Sequence, residues 1–435
     1  MMRKILWFIS ICFLCNTGAG AAELSLQGAF EKARDHSFQL KKTVVLSESS
    51  RSELKSARAE RFPTLSLAAY ASYISDIASL DIIIPPMISF SREIGTEEHY
   101  QSDLRLTLPL FTGGKISGGI GMAKAGVDYY DAAQQMETDR LYFTTRVTYL
   151  KLYRTERLVE ATLASQKRTA IIMNDIESMY AAGAADSVAV LDARLALTRA
   201  DYAVTQARST RRTVEIEMLT LLGMDIMDSL TLTDNFSSPV MIEPLTALSE
   251  AKPELRAYRA NIEHNRSRLK ITRAEYFPTV SVFTGYSYGK PNIDQFNNTW
   301  SDYYTVGANL IWAFNIGGKS INKVRNAHYQ LQSADYDYRR VEEDLTREMQ
   351  IAYENLKNSY EKYLSAFKEN IITTQSYRLA QEQHRQGAMA TNRLLEIETT
   401  LTSSQASLTA AQVDFHIALS TYYYAAGSPQ LREGN

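Results

Sequence analysis

The chain has 435 residues, a formal net charge of -2 and 22% charged side chains, so its charge balance points neither to nucleic acid nor to a polyanionic partner. Only 20 Gly and 10 Pro punctuate it, which predicts long uninterrupted elements. Mean hydropathy is -0.25 and no long apolar run follows residue 20, which argues against membrane-spanning helices and leaves any spanning to strands.

Residues 1–21 read as a secretory signal: Arg3 and Lys4 open it, Ile5 to Leu14 form a short apolar stretch, and Ala19-Gly20-Ala21 offers a small-x-small cleavage site. Cys12 and Cys15 both fall inside it, so the mature chain is expected to have no disulfide and no thiolate metal site.

Glu23 to Arg61 has helix-forming composition and stops at Phe62-Pro63, where proline biases the residue before it away from helix. A strand is predicted over 63–75, with Leu65, Leu67, Ala69 and Ala71 alternating with Thr64, Ser66, Ala68 and Tyr70. A second strand is predicted over 100–111, with Leu104, Leu106, Leu108 and Leu110 facing one way and Asp103, Arg105 and Thr107 the other. After Gly113-Gly114 come proline-free helical runs over 115–182 and, past a turn at Gly183, over 187–222. The first of these would extend roughly 100 Å at 1.5 Å per residue.

A linker over 224–244 separates this first copy, 22–223, from a second copy over 245–427. The second copy repeats the pattern: a helix over 245–276, strands over 278–289 and 303–315, helices over 319–386 and 392–426, then a tail over 428–435. The landmarks agree in order. Arg58-Ala-Glu-Arg-Phe-Pro-Thr64 faces Arg273-Ala-Glu-Tyr-Phe-Pro-Thr279, Gly-Gly-Lys115 faces Gly-Gly-Lys319, Gly183 faces Gly387, and Leu222-Gly223 faces Ala426-Gly427. One insertion of roughly 11 residues between Tyr73 and Tyr100 reconciles the registers. In the second long helix a single apolar stripe runs from Ala327 through Tyr338, Leu345, Leu356 and Tyr363 to Phe367 and Ile371. Its spacing of about 3.67 residues suits a nearly straight helix packed in a wall.

The fold class expected is therefore mixed, mainly long α-helices with four β-strands per chain. Four strands cannot close a barrel, and an open sheet in lipid leaves unpaired backbone groups, so these strands should pair with other copies of the chain. The competing reading is a soluble helical bundle capped by two hairpins with their leucines buried.

The residues resemble the TolC-type outer membrane efflux protein family. The resemblance rests on Lys252-Pro253-Glu254-Leu255, the duplicated Phe-Pro-Thr strand starts, the Gly-Gly-Lys hairpin exits, and Tyr180-Ala-Ala-Gly183 followed by Val190-Leu-Asp192. It implies a homotrimer with a twelve-stranded barrel in the outer membrane continuing into a twelve-helix periplasmic tunnel, and a small equatorial domain from Met224 to Thr246 with the C-terminal tail. It further implies an exit duct for a tripartite efflux pump or a type I secretion system. The partners would be a periplasmic adaptor (membrane fusion) protein, an inner-membrane RND or ABC-type pump, and outer-membrane lipid. The alternative class is a secreted elongated helical scaffold without a pore.

The same resemblance puts the helix turns at a periplasmic tip, with Gly183, Ala184 and Ala185 on one turn and Gly387, Ala388, Met389 and Ala390 on the other as adaptor contacts. Asp192 and Glu396 follow the two turns and would ring a gate, their alternative being ordinary solvated carboxylates near helix starts. Arg393, one turn before Glu396, can pair with it instead. Tyr180 and His384 precede the turn glycines and could hydrogen-bond across a closed tip.

Tyr70, Tyr73, Tyr100, Tyr286, Tyr288, Tyr303 and Tyr304 gather near strand ends as an aromatic belt would. The insertion carries Leu80-Asp-Ile-Ile-Ile-Pro-Pro-Met87, unusually apolar for an external loop. The six histidines lack metal-ligand spacing, and with no thiol, P-loop or dinucleotide fingerprint the expectation is no catalysis, no metal and no cofactor.

Overall fold

The computed structural model describes residues 22–85, 88–93, 95–245, 248–294 and 297–432. The signal peptide read over 1–21, Pro86 and Met87 of the apolar insertion, Thr246 of the equatorial segment and the last three residues of the tail lie outside the described residues. In chain order the elements are β1 (Ala22–Leu24), α1 (Leu26–His36), α2 (Phe38–Ala59), β2 (Thr64–Tyr73), β3 (Ser79–Ile84), β4 (Ile88–Glu93), β5 (Glu98–Phe111), α3 (Lys115–Ala181) and α4 (Ser187–Leu222). There follow β6 (Leu230–Leu232), α5 (Pro253–Arg273), β7 (Thr279–Lys290), β8 (Ser301–Ile311), α6 (Lys319–Arg385) and α7 (Thr391–Ala426). The chain is mostly helical, and α3 and α6 each run 67 residues without a break.

Two compact units cut across the repeat. One gathers residues up to Leu40, Glu137–Ser249 and the chain from Leu345 onward; the other gathers Lys41–Met136 and Glu250–Asp344.

The second unit holds a four-stranded sheet in the order β2-β5-β7-β8, every neighbour antiparallel. Its register puts all four strand ends that adjoin helices at one edge: Thr64 lies opposite Thr107, Phe111 opposite Val280, and Thr279 opposite Ile311. Pro109 has no N–H for the ladder, and a bulge follows it. Phe111, not Leu110, therefore stands opposite Val280, and the leucine alternation ends one step earlier than the sequence suggests. β8 likewise stops at Ile311, so Trp312 and Phe314 lie beyond the strand.

Leu65, Leu67, Leu104, Leu106, Val306 and Leu310 are all exposed. This overturns the soluble-bundle reading, in which leucines are covered by the chain's own helices. Among the described residues, no helix is long and apolar enough to cross a membrane.

Strands also appear where none were expected. β3 and β4 pair as a hairpin inside the apolar insertion, and β1 pairs in parallel with β6. The helix expected from Glu23 is thus replaced by a strand at its start and broken again at Ser37, whose hydroxyl accepts from the Leu40 N–H at 3.2 Å. The helix expected from residue 245 begins only at Pro253 and ends in a 3-10 turn over Ala274–Tyr276.

The first unit's core joins Leu24, Phe30, Tyr149, Leu152, Met218, Leu219 and Leu230. The Tyr149 hydroxyl lies 2.9 Å from both the Leu24 carbonyl and Asp234 Oδ2, which also accepts from the Leu26 N–H at 2.6 Å. Gln412 Nε2 donates to the Phe236 carbonyl at 3.0 Å, and His416 Nε2 to the Ser237 carbonyl at 3.1 Å. At the end of α4, Gly223 adopts φ 69° and a side chain there would collide with the His36 ring.

The apolar stripe of α6 buries Ala327, Leu345, Met349, Ala352, Leu356 and Tyr363. It then passes to Ala366, which packs near Ala411 of α7, while Phe367 and Ile371 are exposed. Small residues on both helices let them close at that point.

Candidate functional site

The helix turns of the first unit are built alike. After α3, Gly183 takes φ 73°, the Ala184 N–H reaches the Met179 carbonyl at 2.8 Å and the Gly183 N–H reaches the Tyr180 carbonyl at 2.9 Å. After α6, Gly387 takes φ 71°, with 2.9 Å bonds from Ala388 to Gln383 and from Gly387 to His384. This is the paired-bond helix stop that favours glycine, because a left-handed backbone costs other residues roughly 1–2 kcal/mol. Restarting differs: Asp186 caps α4 by accepting from the Ala189 N–H at 2.7 Å, while Ala390 gives α7 no side-chain cap.

Gly183, Ala184, Gly387, Ala388 and Ala390 are exposed. Ala185 and Met389 are half-buried, and Met389 packs on the cluster of Ile172, Ile176, Val190, Ala193, Ala380 and Leu394 at the base of the turns. Met389 is therefore not the free contact residue the sequence suggested.

Asp192 and Glu396 are both exposed and both line one open groove of about 610 Å³ between α4 and α7. Arg393 Nη1 lies 2.6 Å from Glu396 Oε2, with both side chains more than half exposed. Solvent screening limits such a pair to about 0–1 kcal/mol. Asp192 has no cation within ion-pair distance among the described residues. Tyr180 is exposed, whereas His384 is buried and its Nδ1 meets the Met389 carbonyl of its own turn at 3.0 Å. Within the chain, His384 is committed to its own turn and no hydrogen bond joins it to Tyr180.

The groove also exposes what sequence reasoning missed. Glu398 is buried on α7 and accepts from Ser165 Oγ at 2.9 Å, Arg168 Nε at 3.1 Å and Thr402 Oγ1 at 2.9 Å. Arg168 belongs to α3, so this carboxylate fastens the first helix pair to the second. The two residues lie 230 positions apart, and no local pattern announces the pairing.

In the second unit, Tyr70, Tyr73, Tyr100, Tyr286, Tyr288 and Tyr304 are exposed toward the loop edge of the sheet, and Tyr303 is half-buried. Trp300 joins them, stacked on Tyr288 with ring centroids 5.1 Å apart. At the helix edge a second exposed aromatic set comprises Phe62, Tyr276, Phe277, Trp312 and Phe314. Trp312 Nε1 donates to the Tyr276 carbonyl at 3.2 Å. The repeated Phe-Pro-Thr was the signal for this second set, read only as a strand start.

Residues 29–224 and 245–428 match the family model described as outer membrane efflux protein. The chain is 26% identical over 418 residues to the solvent efflux pump outer membrane protein SrpC of Pseudomonas putida, covering 89% of this chain and 81% of that protein. Its fold is similar to the outer membrane protein VceC of Vibrio cholerae, with TM-score 0.75 and 16% identity over 93% of this chain and 96% of that one. It is also similar to the open outer membrane channel MtrE of Neisseria gonorrhoeae, with TM-score 0.70 and 18% identity over 94% and 90%. The chain belongs to the outer membrane efflux protein family, whose place is the outer membrane and whose structural neighbours are channels.

Proposed function

We propose that this chain is the outer-membrane exit duct of a tripartite efflux pump, passing substrates outward without chemistry of its own. One observation carries the reading. The four-stranded sheet has two unpaired edge strands, β2 and β8, and bears exposed leucine and valine that its own helices do not cover. Unpaired backbone in hydrocarbon costs several kcal/mol per group. Edge must therefore meet edge between copies, and three copies supply a twelve-stranded barrel with a tunnel of twelve helices. Two aromatic sets bracket the apolar strands as interface girdles do.

The duct docks a periplasmic adaptor at the exposed turns of Gly183 and Gly387, and works with an inner-membrane pump of the RND or ABC type. The relative named for solvent efflux favours small-molecule efflux over type I secretion. Asp192 and Glu396, brought to one groove, are the gate carboxylates; three copies would present six, and such a ring concentrates cations. Exposed strand leucines disfavour the pore-free scaffold.

Fractionation tests the reading. Trimers that resist detergent until heated, recovered from the outer membrane, are the expected result. A soluble monomer in the periplasm would reject it.

A further inference from the structure

The helix edge of the sheet is strongly basic. α2 reaches it with Arg58 and Arg61 at its end, and α5 with Arg268, Lys270 and Arg273; α3 and α6 both leave it with a lysine as first residue, Lys115 and Lys319. All seven side chains are exposed, and none has a carboxylate within ion-pair distance among the described residues. Glu60 and Glu275 are the nearby acids in the chain, and Glu275 is already held by Lys323 Nζ at 2.5 Å. The loop edge is the reverse, with Asp76, Glu97, Glu98 and Asp302 against Lys290.

Helix dipoles explain only part of this. Cations in the last turns of α2 and α5 are favoured by the carbonyl ends there, but a lysine at the first residue of α3 or α6 faces the positive end of its own helix. In the second copy Glu275, bonded to Ser320 and Lys323 in the first turn of α6, offsets part of that cost, whereas at the start of α3 no carboxylate among the described residues pairs with Lys115, which leaves room for an external anion. The cations also sit just outside the aromatic set: Arg61 adjoins Phe62, Arg273 precedes Phe277 by one turn, and Lys319 follows Phe314 at similar distance. Aromatic side chains settle at the boundary between hydrocarbon and water, so groups immediately beyond them lie at the depth of lipid phosphates. Guanidinium groups match phosphate oxygens two at a time.

We infer that this basic collar binds the anionic phospholipid headgroups of the periplasmic leaflet and so fixes the depth of the channel in the membrane. The inference rests on the strands being the membrane-spanning part. Each cation near an anionic membrane surface strengthens attraction by roughly fivefold, and the effect decays over a Debye length of about 10 Å at 0.1 M salt.

The test uses the full-length protein in detergent micelles containing equal phosphatidylcholine and phosphatidylglycerol, with retained lipid counted by native mass spectrometry. The parent should retain phosphatidylglycerol at least about fivefold over phosphatidylcholine. Arg268→Gln with Lys270→Gln and Arg273→Gln should abolish most of that preference. Lys115→Gln with Lys319→Gln should reduce it while relieving the dipole conflict, so its loss does not reflect unfolding. Arg339→Gln with Arg340→Gln, exposed cations elsewhere on α6, should leave it unchanged. Equal retention of both lipids by the parent, or undiminished preference in both collar variants, overturns the inference. Lipid retention should fall no further with inorganic phosphate than with sodium chloride of the same ionic strength; a loss specific to phosphate overturns the inference by assigning the collar to a free anion. These failures leave pore conductance in bilayers intact, whereas absent conductance would strike the channel reading instead.

Discussion

The two helix turns share a backbone and differ in chemistry. Gly183 and Gly387 take the same left-handed conformation and the same paired bonds. Around them, equivalent positions carry different groups. Tyr180 is exposed where His384 is buried in its own turn, Asp192 stands without an ion pair where Glu396 is paired with Arg393, and Arg194 makes an exposed pair with Glu177 where Glu398 is buried against Arg168. Duplication has kept the geometry of helix reversal, which the left-handed turn enforces, and has let the two turns be fastened differently, the first by the Asp186 cap and an exposed ion pair, the second by the buried His384 ring. Glu398 and Arg168 tie the two helix pairs to each other, so the contrast between the turns rests on the buried His384 against the exposed Tyr180.

The largest expected effect separates Glu398 from Arg194. Glu398→Ala leaves Arg168 without its buried partner and should cost about 3–5 kcal/mol in thermal unfolding, while Arg194→Ala, breaking a solvated pair, should cost at most about 1 kcal/mol. Equal costs would break the contrast. Next comes His384→Ala, which frees the Met389 carbonyl and should cost about 1–3 kcal/mol, against at most about 0.5 kcal/mol for Tyr180→Ala. Hydrogen exchange at the two turns reads the same difference directly.

Further along the same helices the contrast becomes pH-dependent. Arg212 of α4 and His416 of α7 occupy equivalent positions. Burial holds the His416 imidazole below its ordinary value, and Arg146 pushes it the same way. The unfolded chain then takes up a proton first, so the stability His416 contributes is present above the ordinary imidazole value of about 6.5 and is lost as pH falls from there through its lower folded value. Near Arg212, burial alone would raise the Glu215 carboxyl, but the Leu230 N–H and the guanidinium groups of Arg212 and Arg211 outweigh it and hold it below the usual range. Its contribution is present above about 4.3 and is lost only as pH falls through the lower folded value. Unfolding measured against pH should therefore lose slope just below about 6.5 in His416→Gln and only below about 4.3 in Glu215→Gln, each by at most about 1.4 kcal/mol per pH unit. Identical profiles for parent and variants would remove these groups from the account.

The smallest change in stability, under about 1 kcal/mol, belongs to the exposed Arg393–Glu396 pair. Its removal by Glu396→Gln should instead lower the cation preference of the pore, and an unchanged preference and conductance would eliminate the carboxylate ring.

The sequence made the helices and turns legible because their causes are local: a proline before the first sheet strand of each copy, a glycine at each reversal, and a stripe of apolar residues along α6. Four strands were visible through alternation, and the bulge in β5 had its own local mark in Pro109. What stayed hidden depends on partners far away in the chain. β1 pairs with β6 over three residues and carries no period of its own. The break at Ser37 is the exception, a local cap that an otherwise helical composition concealed. Glu398 reads as one more carboxylate on a helix until Arg168 is brought beside it. The gate candidates were found by position after the turns, yet only the fold distinguishes solvated Asp192 from paired Glu396 and buried His384.

A single chain leaves two sheet edges open, and the proposed pore closes only by assembly. Purified trimers added to a planar lipid bilayer should produce discrete, long-lived conductance steps. Trimers that insert without any step, or conductance carried by the monomer alone, would contradict it.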